Sequence, residues 1–166
     1  MNEIPPVRFR EEQRFRGPWL WLIIAFVAGL QWWGFYRQIV LGKPWGNNPA
    51  PDWMMVLLWL AFGIGLPLLF FLFELVVTVN ASAVEIRFSP VVRRTIPLTE
   101  IAKVEARTYA PLKEYGGWGI RVGLSGKRAY NISGNEGVEL TLTDGRKVLI
   151  GSKRSKELAQ IIASAM

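Results

Sequence analysis

The sequence predicts an α+β membrane protein: an N-terminal two-helix transmembrane hairpin, then a small antiparallel β-barrel capped by a C-terminal helix. Three observations carry that expectation. Apolar residues are concentrated before Asn80, the hydrophobic period switches to two near Leu75, and the chain closes on an amphipathic helical pattern. Of 166 residues 51% are hydrophobic. Two spans leave about 90 residues for a soluble remainder, small but able to build one core.

The first span is read at 18–36, PWLWLIIAFVAGLQWWGFY, where Gln31 is the one strongly polar residue. A bilayer core of about 30 Å needs roughly 20 helical residues. Pro18 suits a first helical turn, where its missing N–H costs nothing. A cleaved signal peptide is disfavoured by the long apolar run, the Arg-rich leader and the lack of a small-x-small cleavage site. The second run, 53–79, is longer than one span requires and changes character at Glu74, from Leu/Phe-rich to β-branched. The span is therefore ended near Phe73. Pro67 is expected to kink it. Gly63 and Gly65 either admit a close neighbour or reflect the ordinary tolerance of glycine in membrane helices.

This divides the chain into a leader at 1–17, a hairpin at 18–73 and a domain at 74–166. The hairpin has spans at about 18–37 and 53–73 around an extracytoplasmic loop at 38–52. Trp19, Trp21, Trp32, Trp33, Trp45, Trp53 and Trp59 all fall in the hairpin, as interfacial anchoring favours. Arg8, Arg10, Arg14 and Arg16 crowd the leader, whereas the loop carries only Arg37 and Lys43. That asymmetry puts both termini in the cytoplasm and the protein, multi-pass, in the cell (inner) membrane. The Asn80 and Asn131 glycosylation sequons then read as chance matches.

The net charge is +7, and there is no Cys and no His. Disulfides, thiolate nucleophiles, Cys/His zinc sites and imidazole bases are therefore excluded. No metal, cofactor or small-molecule substrate is implied, and the expectation is a protein that is not an enzyme. A basic surface suits anionic lipid; membrane tethering disfavours nucleic acid.

In the domain, strands are expected at 75–80, 84–88, 92–96, 103–109, 118–122 continuing near 128–132, 137–143 and 146–151. Asn80-Ala-Ser-Ala makes a tight connection, and Thr143-Asp-Gly-Arg146 a hairpin turn. Val138, Leu140 and Leu142 should face a core, with Glu139, Thr141 and Thr143 outward. Leu158, Ile161, Ile162 and Ala165 form one helical stripe, with Ser152 or Ser155 as its cap. A barrel closed by this helix leaves no exposed strand edge.

The runs RTIPLTEIAKVE (94–105), GGWGIR (116–121) and AYNISGNEGVELTLTDGRKVLIGS (129–152), with the terminal helix, resemble the bacterial pleckstrin-homology-like domain. With the FREEQRFR leader (9–16), most of the chain is similar to an uncharacterised family of small bacterial two-span membrane proteins carrying such a domain. The resemblance implies fold and architecture, and no activity. The phosphoinositide site of eukaryotic relatives does not carry over, because the matching loop, Asn80-Ala-Ser-Ala, has no cation.

Candidate surface residues are the basic pairs Arg93-Arg94, Lys127-Arg128, Arg146-Lys147 and Lys153-Arg154. They form either a lipid-headgroup or partner surface or ordinary solvated surface. Trp118 and Arg121 are a possible interface, against a plainer reading with Trp118 buried behind a glycine turn. Gln31 and Glu74 are polar residues within or beside the spans. The expectation is a membrane-anchored adaptor that binds a protein partner, an anionic lipid surface or another copy. The alternative is an accessory subunit of a transport or envelope-assembly complex, held through its spans.

Overall fold

The computed structural model describes residues 7–123 and 126–166. The chain forms two compact units, Phe15–Phe73 and a second that joins the leader up to Arg14 with Glu74–Met166.

The first unit contains two helices long and apolar enough to cross a membrane, α1 (Pro18–Val40) and α2 (Asp52–Leu72), with mean hydropathies of 1.4 and 2.5. Leu22, Phe26 and Phe71 are 71%, 67% and 66% exposed. In α1 the buried positions are Ile24, Ala28, Gly34 and Gln38, and half-buried Trp21, Val27, Gln31 and Phe35 complete one helical stripe. A Cβ on Gly34 would lie 2.3 Å from the Trp45 ring, and one on Gly63 would lie 2.9 Å from Trp59 Cδ1. Both glycines make room for an indole.

The helix layout departs from the expected regular spans. α1 ends in a π-helical turn, Tyr36–Val40, and α2 is π-helical over Trp59–Gly65. That stretch stops just before Pro67, which has no N–H to offer the Gly63 carbonyl four residues back. Trp32 Nε1 donates to this carbonyl at 3.1 Å. Stacking of Phe35 on Trp59, with ring centroids 4.2 Å apart, fills the same level. Gln38 Nε2 donates to Ala50 O at 2.7 Å and to Asp52 Oδ1 at 2.8 Å, closing the loop end.

The second unit is built on two sheets. The first has the order β1 (Phe9–Arg14), β2 (Glu74–Val79), β3 (Ala83–Ser89) and β4 (Val92–Pro97). The second comprises β5 (Ile101–Thr108), β6 (Gly119–Val122), β7 (Arg128–Asn131), β8 (Glu136–Leu142) and β9 (Lys147–Gly151) in the order β5-β8-β9-β7-β6. A short helix α3 (Pro111–Tyr115) follows β5, and α4 (Ser155–Ala163) closes the chain. Leu75, Val77, Val84, Ile86, Phe88, Leu140, Ile150, Leu158 and Ile162 are among its sealed core residues.

The expected closed barrel is not formed. Among the described residues no strand pairing joins the two sheets. Sequence reasoning missed β1, which takes the free edge of β2 in a register from Phe9↔Val79 to Arg14↔Glu74. On the other side β4 stops at Pro97, which lacks the N–H to continue a ladder. A 3₁₀ turn over Leu98–Glu100 then leads into β5 at an edge of the second sheet. Nor is the pairing wholly antiparallel, since β7 runs parallel to β9.

Three smaller expectations are also corrected. Glu139 was expected outward yet is only 4% exposed, because the second sheet is covered on both faces. Neither Ser152 nor Ser155 caps α4: its first flanking residue is Arg154 and there is no side-chain cap bond. α3 was not anticipated. The two expected turns do form. Asn80 Oδ1 accepts from the Ser82 and Ala83 N–H groups at 2.9 and 2.8 Å. Gly145 adopts φ +82° in the β8–β9 turn, a conformation that favours glycine.

Candidate functional site

Alternation along strands disperses the basic pairs. Arg93 is exposed and faces Glu85, 3.5 Å away, while its neighbour Arg94 points to the other face and is half-buried, with one guanidinium nitrogen lacking a hydrogen bond. Arg146 binds Asp144 at 2.5 Å, and Lys147 binds Glu139 at 2.8 Å. Arg154 pairs with Glu157 and its guanidinium sits 4.7 Å over the Phe9 ring. Arg128 and Lys153 are exposed and Lys127 is half-buried. Several of these cations thus already hold a carboxylate, and they do not form one continuous patch.

Trp118 is half-buried, its indole donating to Gly134 O at 2.9 Å. Arg121 is exposed and donates through Nε to Trp118 O at 3.0 Å. The indole therefore straps the 116–119 turn to the 132–135 turn. Gly116, Gly117 and Gly119 all have positive φ, so this turn needs its glycines. Glu74 is ion-paired with Arg14 at 2.9 Å. Gln31 faces α2, and its Oε1 and Trp59 Nε1 are both buried without a hydrogen bond.

A polar cluster around the buried Glu139 was not read from the sequence. Glu139 accepts from Lys147 Nζ and lies 3.3 Å from Arg107 Nε, and Arg107 also pairs with Glu114. α3 brings Glu114 and Tyr115 to this face, where Tyr109, Tyr115, Ala129 and Leu149 form a small second core. Asn131 Nδ2 donates to Tyr109 Oη at 2.9 Å. Burial acts against the Glu114 carboxylate, but the Ala110 N–H and Arg107 outweigh it, and its pKa falls below the ordinary value. Burial likewise opposes the Arg107 charge, yet Glu114 and Glu139 hold its pKa above the usual one. Desolvation raises both Tyr109 and Tyr115. All four shifts run away from neutrality, so none prepares a group for proton transfer at neutral pH. The available signal was pairing: strands on both sides of β8 offer a cation to Glu139.

A second polar cluster ties the leader in. Glu11, 8% exposed, accepts from Ser152 Oγ at 2.5 Å and from Lys153 N at 2.9 Å. Gln13 Nε2 donates to Gly151 O at 2.8 Å. Beside this clamp lies a cleft of about 350 Å³ lined by Ser133, Gly134, Asn135, Glu136, Ser152 and Lys153. It lacks the apolar walls of a small-molecule pocket.

These features define an α+β protein with a two-helix hairpin of membrane-spanning length inserted between the first two strands of a two-sheet domain. The chain belongs to a family of unknown function, DUF6141, whose model matches residues 3–166. No curated protein and no solved structure matches it.

Proposed function

We propose that this protein is a membrane-anchored, non-enzymatic scaffold or adaptor. α1 and α2 hold it in the cell (inner) membrane, and a pleckstrin-homology-like domain on the cytoplasmic side binds an anionic lipid surface or a protein partner. The observation that carries the reading is the β1–β2 ladder. Arg14, just before the hairpin, is paired with Glu74, just after it. If the hairpin spans the bilayer, both its ends must emerge together, and leader and domain share one side. The arginines of the leader favour the cytoplasm for that side. The lipid-facing reading of α1 and α2 draws on their large exposed apolar side chains. The pleckstrin-homology-like assignment rests on the sequence runs and the terminal helix.

The second reading, an accessory subunit held through its spans, is favoured by the unpaired Gln31 and Trp59 polar atoms between the helices. Crosslinking in intact membranes separates the two. Partner capture by the full chain should survive replacement of the outward apolar residues of α1 and fail when surface residues of the sheeted unit are changed. The opposite pattern would establish the subunit reading instead.

A further inference from the structure

We infer that the β3–β4 turn and the arginine pair beside it form a membrane-contact surface for anionic headgroup phosphates. The inference rests on the spanning reading above and names the part of the domain that meets the bilayer. Its first support is register. Glu74 is opposite Ser89 in the β2–β3 ladder, and paired Cα atoms lie about 4.5–5.5 Å apart. Glu74 itself follows the end of α2 by only two residues. Whatever tilt the domain adopts, the turn after Ser89 stays close to the point where the chain leaves the second span.

The second support is what stands there. Val91 at the turn is 60% exposed, in a unit that otherwise seals most of its large aliphatic side chains. Pro90 beside it is also exposed. One row further from the turn, Arg87 is directly opposite Arg93, and both side chains are exposed on the outer face of the sheet. Like charges directly opposite across strands are destabilising. The acceptors at hand are modest: Arg87 Nε donates to Ser89 Oγ at 3.0 Å, and Arg93 is 3.5 Å from Glu85. A phosphate between two guanidinium groups accepts paired hydrogen bonds from each and removes the repulsion. Rows climb about 3.4 Å per residue, so Arg93 lies within about 7 Å of Val91 along the strand.

The test uses the full chain in vesicles. The sequence has no Cys, so Val91→Cys and, separately, Leu22→Cys each give one labelling site for an environment-sensitive fluorophore. Vesicles are made of phosphatidylcholine alone or with phosphatidylglycerol, each containing a lipid-borne quencher. The label at 91 should be quenched by lipid in phosphatidylglycerol vesicles, and Arg87→Gln with Arg93→Gln should at least halve that quenching. High salt should weaken it, while arginine-to-lysine changes at both positions, which keep the charge but lose the paired hydrogen bonds, should retain only part of it. The inference is overturned if position 91 is open to aqueous iodide in every vesicle while position 22 is quenched by lipid. It is equally overturned if 91 is shielded from both quenchers, which would mean a protein covers the turn. Lack of lipid quenching at position 22 would remove the spanning reading, and this surface with it.

Discussion

In the hairpin the enclosed positions are Ile24, Ala28, Gly34, Gln38, Met55 and Gly63, while Leu22, Phe26 and Phe71 stand outward. In the sheeted unit Leu75, Val77, Ile86, Leu140 and Ile150 are sealed, and lysines and arginines stand outward. Large apolar side chains are mostly sealed in the sheeted unit and mostly outward in the hairpin. Water-driven burial explains the sheeted unit, where each sealed side chain gains by leaving water. The hairpin seam, besides the sealed Ile24 and Met55, carries close approaches and hydrogen bonds: glycines under indoles, Trp32 on the Gly63 carbonyl, Gln38 on the loop end. Helices in lipid associate through packing and polar contacts of this kind. The contrast teaches that a hydrophobic side chain is informative only once its solvent is known.

The sharpest way to break the contrast is to truncate one leucine of each kind. Leu140→Ala removes a fully sealed side chain of β8 and should cost about 3 kcal/mol, with faster hydrogen exchange across the second sheet. On the spanning reading proposed above, Leu22→Ala on α1 should leave exchange in both units nearly unchanged, because its methyl groups would face lipid tails as apolar as themselves. A large loss from Leu22→Ala would mean that this face is covered by protein.

A smaller effect tests whether the leader belongs to the sheeted unit. Glu11→Ala removes the acceptor for Ser152 Oγ and Lys153 N and should cost about 2 kcal/mol. The loss should be visible as faster exchange in β2 and around residues 152–155. Glu12→Ala, on the exposed side and paired only with Arg10, should change stability by no more than about 0.5 kcal/mol. Equal effects of the two would argue that β1 is only loosely attached.

Much of this arrangement was legible in the sequence, and the gaps have physical causes. The two long apolar helices could be read because their apolar runs are nearly unbroken, and the Asn80 and Asp144-Gly145 turns because their side chains and glycine φ are local requirements. β1 was hidden because its pattern, FREEQR, alternates Phe9, Glu11 and Gln13 inward, and inward carboxylates read as solvent-facing until Ser152 and Lys153 are known to be opposite. Glu139 was misplaced for the same reason: its partners Arg107 and Lys147 come from other strands. The layout of the candidate surface residues was the least legible. Adjacent basic residues looked like patches, but in a strand neighbours point to opposite faces, as Arg93 and Arg94 do. The juxtaposition of Arg87 with Arg93 is invisible without the register.

The smallest expected effect concerns the half-buried Arg107–Glu114 pair of the sheeted unit. Burial disfavours the Glu114 carboxylate, yet the Ala110 N–H and Arg107 prevail and its folded pKa lies below the ordinary glutamate value. A depressed folded pKa means that the folded state holds its carboxylate more acidic than the unfolded chain does. The resulting stabilisation is complete above the unfolded value of about 4.3 and disappears as pH falls through the folded one. Glu114→Gln should therefore lower the melting temperature of the sheeted unit at neutral pH. The difference from wild type should shrink as the solution is acidified below pH ~4. A difference that persisted undiminished in acid would show that Glu114 acts through the shape of α3 and its amide-compatible bond to Ala110, with no contribution from its charge. A hairpin that spans the bilayer should show no such titration, so the pH dependence also reports which unit is melting.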